Sequence, residues 1–235
     1  MKVVIACGGS GSRMAPANKF LNKHLIPVAP GTLMVDLPLH FLADQGIEDV
    51  CIVTGSNHAS QICEYISDGQ KYGFRSVSYS FQPNPAGISD VLNRVDILDR
   101  SVLLILGDNA FQGHRLDLER LEKNGRAACF EYDVGSVDLA GRFGQLYGDK
   151  IVEKHPEPTH SRILTGLYYF PKDVFTRLSK LTPSRRNELE ITDLLGFYLA
   201  EGRLDSYRVD GSWSDLGEWN SWQEFVEKYG RSFVR

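Results

Sequence analysis

The chain has 235 residues, 42% of them hydrophobic and 24% charged, with 26 basic against 30 acidic side chains and a formal net charge of −4. A chain of this length accommodates one or two domains with a sizeable core, and its charge balance lacks the broad basic footprint of a nucleic-acid binder. The longest apolar runs, such as Val102 to Leu106, are strand-sized and far short of the ~20 residues that cross a bilayer. The opening Met1-Lys2-Val3-Val4-Ile5-Ala6-Cys7 has too short an apolar stretch for a signal peptide, so a cytoplasmic protein is expected. Cys7, Cys51, Cys63 and Cys129 contain no Cys-x-x-Cys spacing, which argues against a structural zinc site and against a small disulfide scaffold. Cys7 and Cys51 sit inside apolar strand patterns and read as reduced core thiols.

In the first half, strand and helix signals alternate. Lys2 to Cys7 is a β-branched run that ends in Gly8-Gly9-Ser10-Gly11-Ser12. Leu33 to Gln45 reads as a helix stopped by Gly46. Asp49 to Thr54 is a second buried strand, and Asn57 can cap a helix through Asp68, with Ile62, Tyr65 and Ile66 on one face. Ser76 to Phe81 is a third strand, Ile88 to Leu98 a third helix, and Val102 to Leu106 a fourth strand that ends at Gly107-Asp108. Apolar strands separated by helices predict a mainly parallel sheet covered on both faces. Right-handed crossovers then set the loops that follow the strands along one edge.

The second half has shorter, more antiparallel segments. Ala127 to Tyr132, Gly144 to Tyr147, Ile151 to Glu153 and Ile163 to Phe170 read as strands separated by polar turns. Ile191 to Glu201 is a helix with Gly202 beyond it, Leu204 to Val209 a strand, and Ser221 to Tyr229 a closing helix. With no repeat, low-complexity tract or linker, the expectation is one α/β domain with an inserted lid. It divides by role into residues 1–125 and 126–235. His40, His58, His114, His155 and His160 show no ligand spacing and read as surface or capping residues. Trp213, Trp219 and Trp222 are expected to pack the C-terminal segment against the body of the fold.

Chemistry first becomes legible at Gly8-Gly9-Ser10-Gly11-Ser12-Arg13. Glycines there let the chain turn sharply and bring backbone N–H groups close to a phosphate, although such a turn after a strand can equally be structural. A dinucleotide fingerprint starting at Gly9 would need glycine where Met14 stands, and a Walker loop needs a Gly-Lys pair the chain does not contain. Arg13 and Lys23 add cationic charge to a cradle that otherwise holds anions by dipoles alone.

These residues, together with Asn22-Lys23-His24-Leu25-Ile26-Pro27-Val28, resemble the signature of the sugar-phosphate nucleotidyltransferases. The likeness continues in order through Gln82-Pro83-Asn84-Pro85-Ala86-Gly87 and Leu106-Gly107-Asp108-Asn109. Arg142-Phe143-Gly144, Glu153-Lys154, Thr165-Gly166-Leu167-Tyr168, Arg186-Asn187-Glu188-Leu189-Glu190-Ile191-Thr192-Asp193 and Trp213-Ser214-Asp215-Leu216-Gly217 complete it. It covers nearly the whole chain and is strongest for the short, thymidylyl-transferring members. The resemblance implies a Rossmann-like three-layer α/β sandwich of the nucleotide-diphospho-sugar transferase type, with a mainly parallel central sheet and an antiparallel sugar-binding lid.

The reaction it implies is attack of a sugar 1-phosphate oxygen on the α-phosphorus of a nucleoside triphosphate, with release of pyrophosphate; dTTP and glucose 1-phosphate are the favoured pair. A cytidylyl-, uridylyl- or guanylyltransferase for another hexose 1-phosphate, or a silent sugar-nucleotide-binding subunit, stays open as an alternative. By the resemblance, Gly8, Gly9, Ser10, Gly11, Ser12 and Arg13 hold the nucleotide, and Gln82 and Gly87 read its base. Arg13, Lys23 and Asp108 act in the transfer itself. Asp108 and Asp215 hold Mg²⁺, a hard ion suited to one or two carboxylates plus phosphate oxygens. Lys154 and Arg186 grip the sugar phosphate, while Gly144, Glu153, Leu164 and Tyr168 contact the sugar. Partners are expected to be these two substrates and further copies of the chain, with neither nucleic acid nor membrane. The chain departs from the family pattern at Asn187, which replaces a glycine, at Asp90, at His155 and at Glu218-Trp219.

Overall fold

The computed structural model describes residues 1–230. The chain opens with strand β1 (Lys2–Cys7), the glycine-rich loop, three short 3₁₀ turns and a hairpin of β2 (Pro27–Ala29) and β3 (Thr32–Leu33). Next come α1 (Asp36–Asp44), β4 (Asp49–Gly55), α2 (Ala59–Ile66), β5 (Ser76–Gln82), α3 (Ile88–Leu92), β6 (Val102–Leu106) and β7 (Asn109–Gln112). After these follow α4 (Leu118–Asn124), β8 (Ala127–Asp133), α5 (Val137–Ala140), β9 (Gly144–Tyr147), β10 (Lys150–Glu153) and β11 (Arg162–Phe170). The described chain closes with α6 (Val174–Leu178), α7 (Ile191–Ala200), β12 (Leu204–Arg208), β13 (Ser212–Asp215) and α8 (Trp219–Tyr229).

These elements form two compact units, neither contiguous in sequence. One, here the loop unit, comprises Val3–Pro85, Ile105–His114 and the chain from Gly211; the other, the hairpin unit, comprises Met1–Lys2, Ala86–Leu104 and Arg115–Asp210. The division by role at residue 125 therefore differs from the division by packing.

In the loop unit, β1, β4 and β5 run parallel, with Cys7 opposite Thr54 and Gly55 opposite Gln82. Their carboxyl ends thus share an edge, where ligands of open parallel sheets bind. Val4, Ile5, Ile52 and Val53 are buried, as strands covered on both faces require. A second cluster seats the loop after β1: Met14, Ile26, Val28, Met34, Leu37, Ala110, Leu216 and Phe225 are all buried together. Trp219 donates its indole N–H to the Ala15 carbonyl and Trp222 to that of Pro27, both at 2.9 Å, so α8 packs against this loop as the sequence led us to expect. Trp213 instead donates to the Asn109 side chain at 2.7 Å.

In the hairpin unit, β8 lies between β11, antiparallel to it, and β12, parallel to it. The β9–β10 pair is an antiparallel hairpin in which Glu153 faces Gly144. Ala127 to Phe130, Leu167, Phe170, Leu194, Leu195 and Tyr198 are buried.

Three helices differ from their sequence expectation. Helix α1 begins at Asp36 rather than Leu33 because Thr32 and Leu33 pair with β2, and the Asp36 carboxylate accepts the Leu33 N–H at 2.7 Å. Tyr65 and Tyr72 donate to the same buried carboxylate, which ties the start of α1 to α2 and the turn after it. Helix α2 starts at Ala59, behind His58 in the left-handed region, and Asn57 does not cap it. Helix α3 stops at Leu92, and the next three amides bond three residues back, to Asp90, Val91 and Leu92, as turns. Beyond the expected elements the chain also forms β2, β3, β7, α4, α5, α6 and β13. All four cysteines are free, with Cys7, Cys51 and Cys129 buried. His114 is buried rather than a surface residue, and its ring stacks on Phe41 at 6.4 Å between centroids. No helix among the described residues is long and apolar enough to cross a membrane.

Candidate active site

Both units carry part of the sequence-predicted constellation. In the loop unit, β1 delivers the chain to Gly8. A Cβ at Gly8 would come within 2.6 Å of Gln82 Oε1, so a side chain there would collide with the buried Gln82 amide. Gly9 and Gly11 have φ of 92° and 61°, a region that residues with a Cβ reach only at a cost. The turn that exposes backbone amides at Ser10 and Ser12 is therefore set by glycine.

Beyond the loop, Lys23 Nζ meets Asp108 Oδ2 at 2.5 Å, with the two side chains only 13% and 10% exposed. Asn109 donates to the other Asp108 oxygen at 3.2 Å, and the Leu216 amide donates to the Asp108 carbonyl at 2.8 Å. That backbone bond continues the β7–β13 ladder, whose register puts Asp215 opposite Asn109. The strand pair thereby brings together two carboxylates over a hundred residues apart in sequence. Gly217 marks the meeting point. A Cβ on it would lie 2.9 Å from Asp108 Oδ2, 3.0 Å from Asp215 Oδ1 and 3.2 Å from an Arg13 guanidinium nitrogen.

The electrostatics follow from this crowding. Burial raises the proton affinity of Asp108, yet the Lys23 ammonium together with the hydrogen bonds from Lys23 and Asn109 outweighs it and holds the carboxyl well below the usual carboxylate range. Among the described residues, Asp215 has no cation at contact distance. Burial and then the negative charge of Asp108 push its pKa up to about 6. His24 is buried beside Lys23, and burial followed by that charge lowers its pKa to about 3. It is a neutral structural imidazole whose Nδ1 lies 2.7 Å from Asn22 Oδ1.

Two hard carboxylate oxygens around one small gap, one of them destabilised as an anion by the other, suit a divalent cation. The donor set of Asp108 and Asp215 therefore fits Mg²⁺, with phosphate oxygens and water as the other ligands. Among the described residues, no group of three or more histidine, cysteine, aspartate or glutamate side chains forms a metal cluster.

In the hairpin unit, a Cβ on Gly144 would lie 2.9 Å from Thr192 Cγ2, 3.4 Å from Glu153 Oε2 and 3.5 Å from Leu164 Cδ1. Gly144, Glu153 and Leu164 therefore lie together, with Thr192 beside them. The Arg186 guanidinium donates to Glu190 at 2.7 Å and to Glu153 at 3.3 Å, and pairs with Glu188 at 3.3 Å. Its Nη1 has no protein partner among the described residues. Burial raises the Glu153 pKa, opposed by Arg186. Lys154 is exposed, with φ of 50°, and its backbone amide donates to the Phe143 carbonyl at 3.1 Å. Tyr168 is buried further along β11, past a register shift that separates it from Leu164.

Gly87 has φ of 97°, and a Cβ there would sit 2.5 Å from the Leu189 carbonyl oxygen. The Leu189 amide donates to Ala86 at 2.7 Å, and the Ser89 amide donates to Leu189 at 3.1 Å. This ladder ties the Gly87 turn to the Arg186–Glu190 segment. Two departures from the family pattern find their reasons here. Asn187 occupies the left-handed region at φ of 59°, which asparagine tolerates better than most residues. Asp90 is neutralised by Arg94, which chelates it at 2.9 to 3.2 Å.

Two residues with no assigned role in the sequence emerge from this geometry. Gly217 leaves the space between the carboxylates, and its signal is its place just after Asp215. Thr192 is buried, and its hydroxyl has no hydrogen-bond partner among the described residues. In sequence it is an ordinary first-turn helix residue, so only the structure exposes it.

A glycine-rich loop at the carboxyl edge of parallel strands, with clustered cations and paired carboxylates, defines a class of α/β proteins that bind phosphorylated nucleotides. The family model for nucleotidyl transferases matches residues 2–232. The glucose-1-phosphate thymidylyltransferase of Neisseria meningitidis is 32% identical over 236 residues, which cover 95% of this chain and 81% of that protein. A UTP–glucose-1-phosphate uridylyltransferase of Haloferax volcanii is 29% identical over 92% of this chain and 91% of its own. Among solved structures, a Bacillus anthracis protein described as a candidate glucose-1-phosphate thymidylyltransferase, in complex with sucrose, superimposes with a TM-score of 0.85. It is 32% identical and covers 98% of this chain and 95% of its own. A UDP-glucose pyrophosphorylase bound to UDP-glucose shares the fold with a TM-score of 0.84 at 20% identity. The chain belongs to the nucleotidyl transferase family and is a nucleotidyltransferase.

Proposed function

We propose that the protein transfers a thymidylyl or uridylyl group from the nucleoside triphosphate to glucose 1-phosphate and releases pyrophosphate. The observation that carries this reading is the convergence of Lys23, Asp108, Asp215 and Arg13 around Gly217, beside the glycine-rich loop. Relatives named for thymidylyl and for uridylyl transfer to glucose 1-phosphate support the substrate class.

Loop amides, Arg13 and Lys23 would hold the triphosphate, since Arg13 lies near Asp215 without forming an ion pair among the described residues and so can turn to an anion. Mg²⁺ held by Asp108 and Asp215 would neutralise phosphate charge and orient the α-phosphate. Gln82, buried and fixed against Gly8, would read the pyrimidine edge through its amide. An amide can match the O4 and N3–H edge that thymine and uracil share, whereas cytosine reverses it. In the hairpin unit, Lys154 and the open Nη1 of Arg186 would take the sugar phosphate. Glu153, the Gly144 backbone, Leu164 and Tyr168 would receive the sugar, with the Thr192 methyl packed behind Gly144. The incoming phosphate is ionised at neutral pH, so the chain needs no covalent nucleophile or dedicated general base. Its contribution is alignment and charge stabilisation of an in-line displacement.

Incubating the protein with Mg²⁺, glucose 1-phosphate and each nucleoside triphosphate, with pyrophosphate release as readout, tests the proposal. Turnover with dTTP and UTP and little with CTP is expected. CTP as the best substrate under competition would remove Gln82 from base reading.

A further inference from the structure

We infer that Gln61, on the first turn of α2 and outside every motif of the family signature above, is a positioning residue for Lys23. The inference rests on the proposed role of Lys23 in transfer. Lys23 lies in a stretch of short turns rather than on a strand or long helix, so something else must hold it against Asp108.

Gln61 supplies that hold with both ends of one amide. Its Nε2 donates to the Phe20 carbonyl at 3.2 Å, and its Oε1 accepts the Asn22 backbone N–H at 3.0 Å. The two anchored groups sit three residues and one residue before Lys23. One side chain therefore fixes the backbone of the approach in both distance and direction. His58, at the same end of α2, adds a contact between its Nε2 and the Asn18 carbonyl at 3.2 Å. Asn18 in turn donates to the Ser10 carbonyl in the glycine-rich loop at 3.1 Å. Past the clamp, Asn22 Oδ1 accepts the His24 N–H at 3.0 Å and closes the turn that carries Lys23. The chain of contacts runs from α2 through Asn22 to the ammonium on Asp108.

Holding a charged group in place before the reaction is worth most where charge develops, so the loss of Gln61 should appear in turnover more than in substrate binding. Gln61 is only partly buried on a surface helix, which leaves the fold able to tolerate its replacement. The test compares wild type, Gln61→Met, Lys23→Ala and the double variant by steady-state kinetics, alongside amide hydrogen exchange at Asn22. If Gln61 acts through Lys23, Gln61→Met lowers kcat about tenfold with the sugar-phosphate KM unchanged, and Asn22 exchanges about tenfold faster. Added to Lys23→Ala, the same change costs nothing more, because its effect is already lost. Independent, multiplying losses in the double variant, or unchanged exchange at Asn22, would overturn the inference. Should Gln61→Met fail to fold, Gln61→Glu, which keeps the acceptor for Asn22 and loses the donor to Phe20, enters the same cycle. Absence of nucleotidyl transfer in the wild type would refute the functional reading instead, and exchange at Asn22 would still decide whether the clamp exists.

Discussion

Replacing Asp215 with asparagine separates what its charge costs the folded protein from what that charge does in the reaction. The Asp215 carboxyl is raised from an ordinary 3.8 to about 6, first by burial and then by the anion of Asp108. A carboxyl whose folded pKa exceeds its unfolded value stabilises the fold fully below pH 3.8, and that contribution disappears as pH rises through 6. Above pH 6 the protein therefore carries a charge it would be more stable without. At ~1.36 kcal/mol per pKa unit the shift corresponds to an upper bound of about 3 kcal/mol. The residue keeps some solvent exposure although its carboxyl is largely desolvated, and screening reduces the expected gain to about 1–2 kcal/mol. Asparagine keeps the oxygen that accepts the Gly217 amide at 2.8 Å, so local geometry has no reason to change. For a chain of this size, thermal unfolding without divalent cation at pH 7.5 should shift upward by roughly 2–8 °C. At pH 4, where the wild-type carboxyl is mostly protonated, the two proteins should converge. Turnover should meanwhile fall steeply, since one of the two carboxylates proposed to hold the cation is gone. A variant less stable than wild type at pH 7.5, or an increment that does not change with pH, would refute the electrostatic reasoning.

Asp108→Asn should reduce turnover by at least about a hundredfold, the scale of losing one electrostatic partner of the transition state, as measured by pyrophosphate release. Lys154→Ala should raise the sugar-phosphate KM by at least about tenfold, a loss near 1.4 kcal/mol, while calorimetric titration with dTTP stays unchanged. Thr192→Val keeps the side-chain shape and removes a buried hydroxyl that has no protein partner. It should leave the unfolding temperature no lower than wild type, as checked by thermal unfolding, and a lower one would show that the hydroxyl is paired.

Much of the loop unit could be read from sequence because its signals are local. The β-branched run into Gly8 predicts a strand and a sharp turn, and β1 ends at Cys7 as expected. The hairpin β9–β10 and strand β11 were legible for the same reason. Other features depend on residues distant in the chain. Asn109–Gln112 and Ser212–Asp215 are short and half polar, so neither shows a strand period, and only their pairing with each other defines them. Asp215 is the last residue of β13. Helix α4 did carry a signal, with Asp117 capping the Arg120 amide and Gly125 ending the helix in the left-handed region. The start of α1 was misplaced because the partner of Leu33 lies in β2 and its amide is bonded by Asp36. Lys23, Asp108, Lys154 and Arg186 were singled out through the resemblance of their motifs to the family signature, whereas the Gln61 clamp and the Thr192 hydroxyl are properties of tertiary contact.

The most direct test of nucleotidyl transfer follows one oxygen. Glucose 1-phosphate labelled with ¹⁸O in its non-bridging phosphate oxygens is incubated with dTTP, Mg²⁺ and the protein, and ³¹P NMR reads the label position in the product. Attack by the sugar phosphate on the α-phosphorus puts ¹⁸O in the bridge between the two phosphorus atoms of the nucleoside diphosphate sugar, with unlabelled pyrophosphate released. A product without label in that bridge, or hydrolysis of dTTP with no sugar nucleotide formed, would contradict the account.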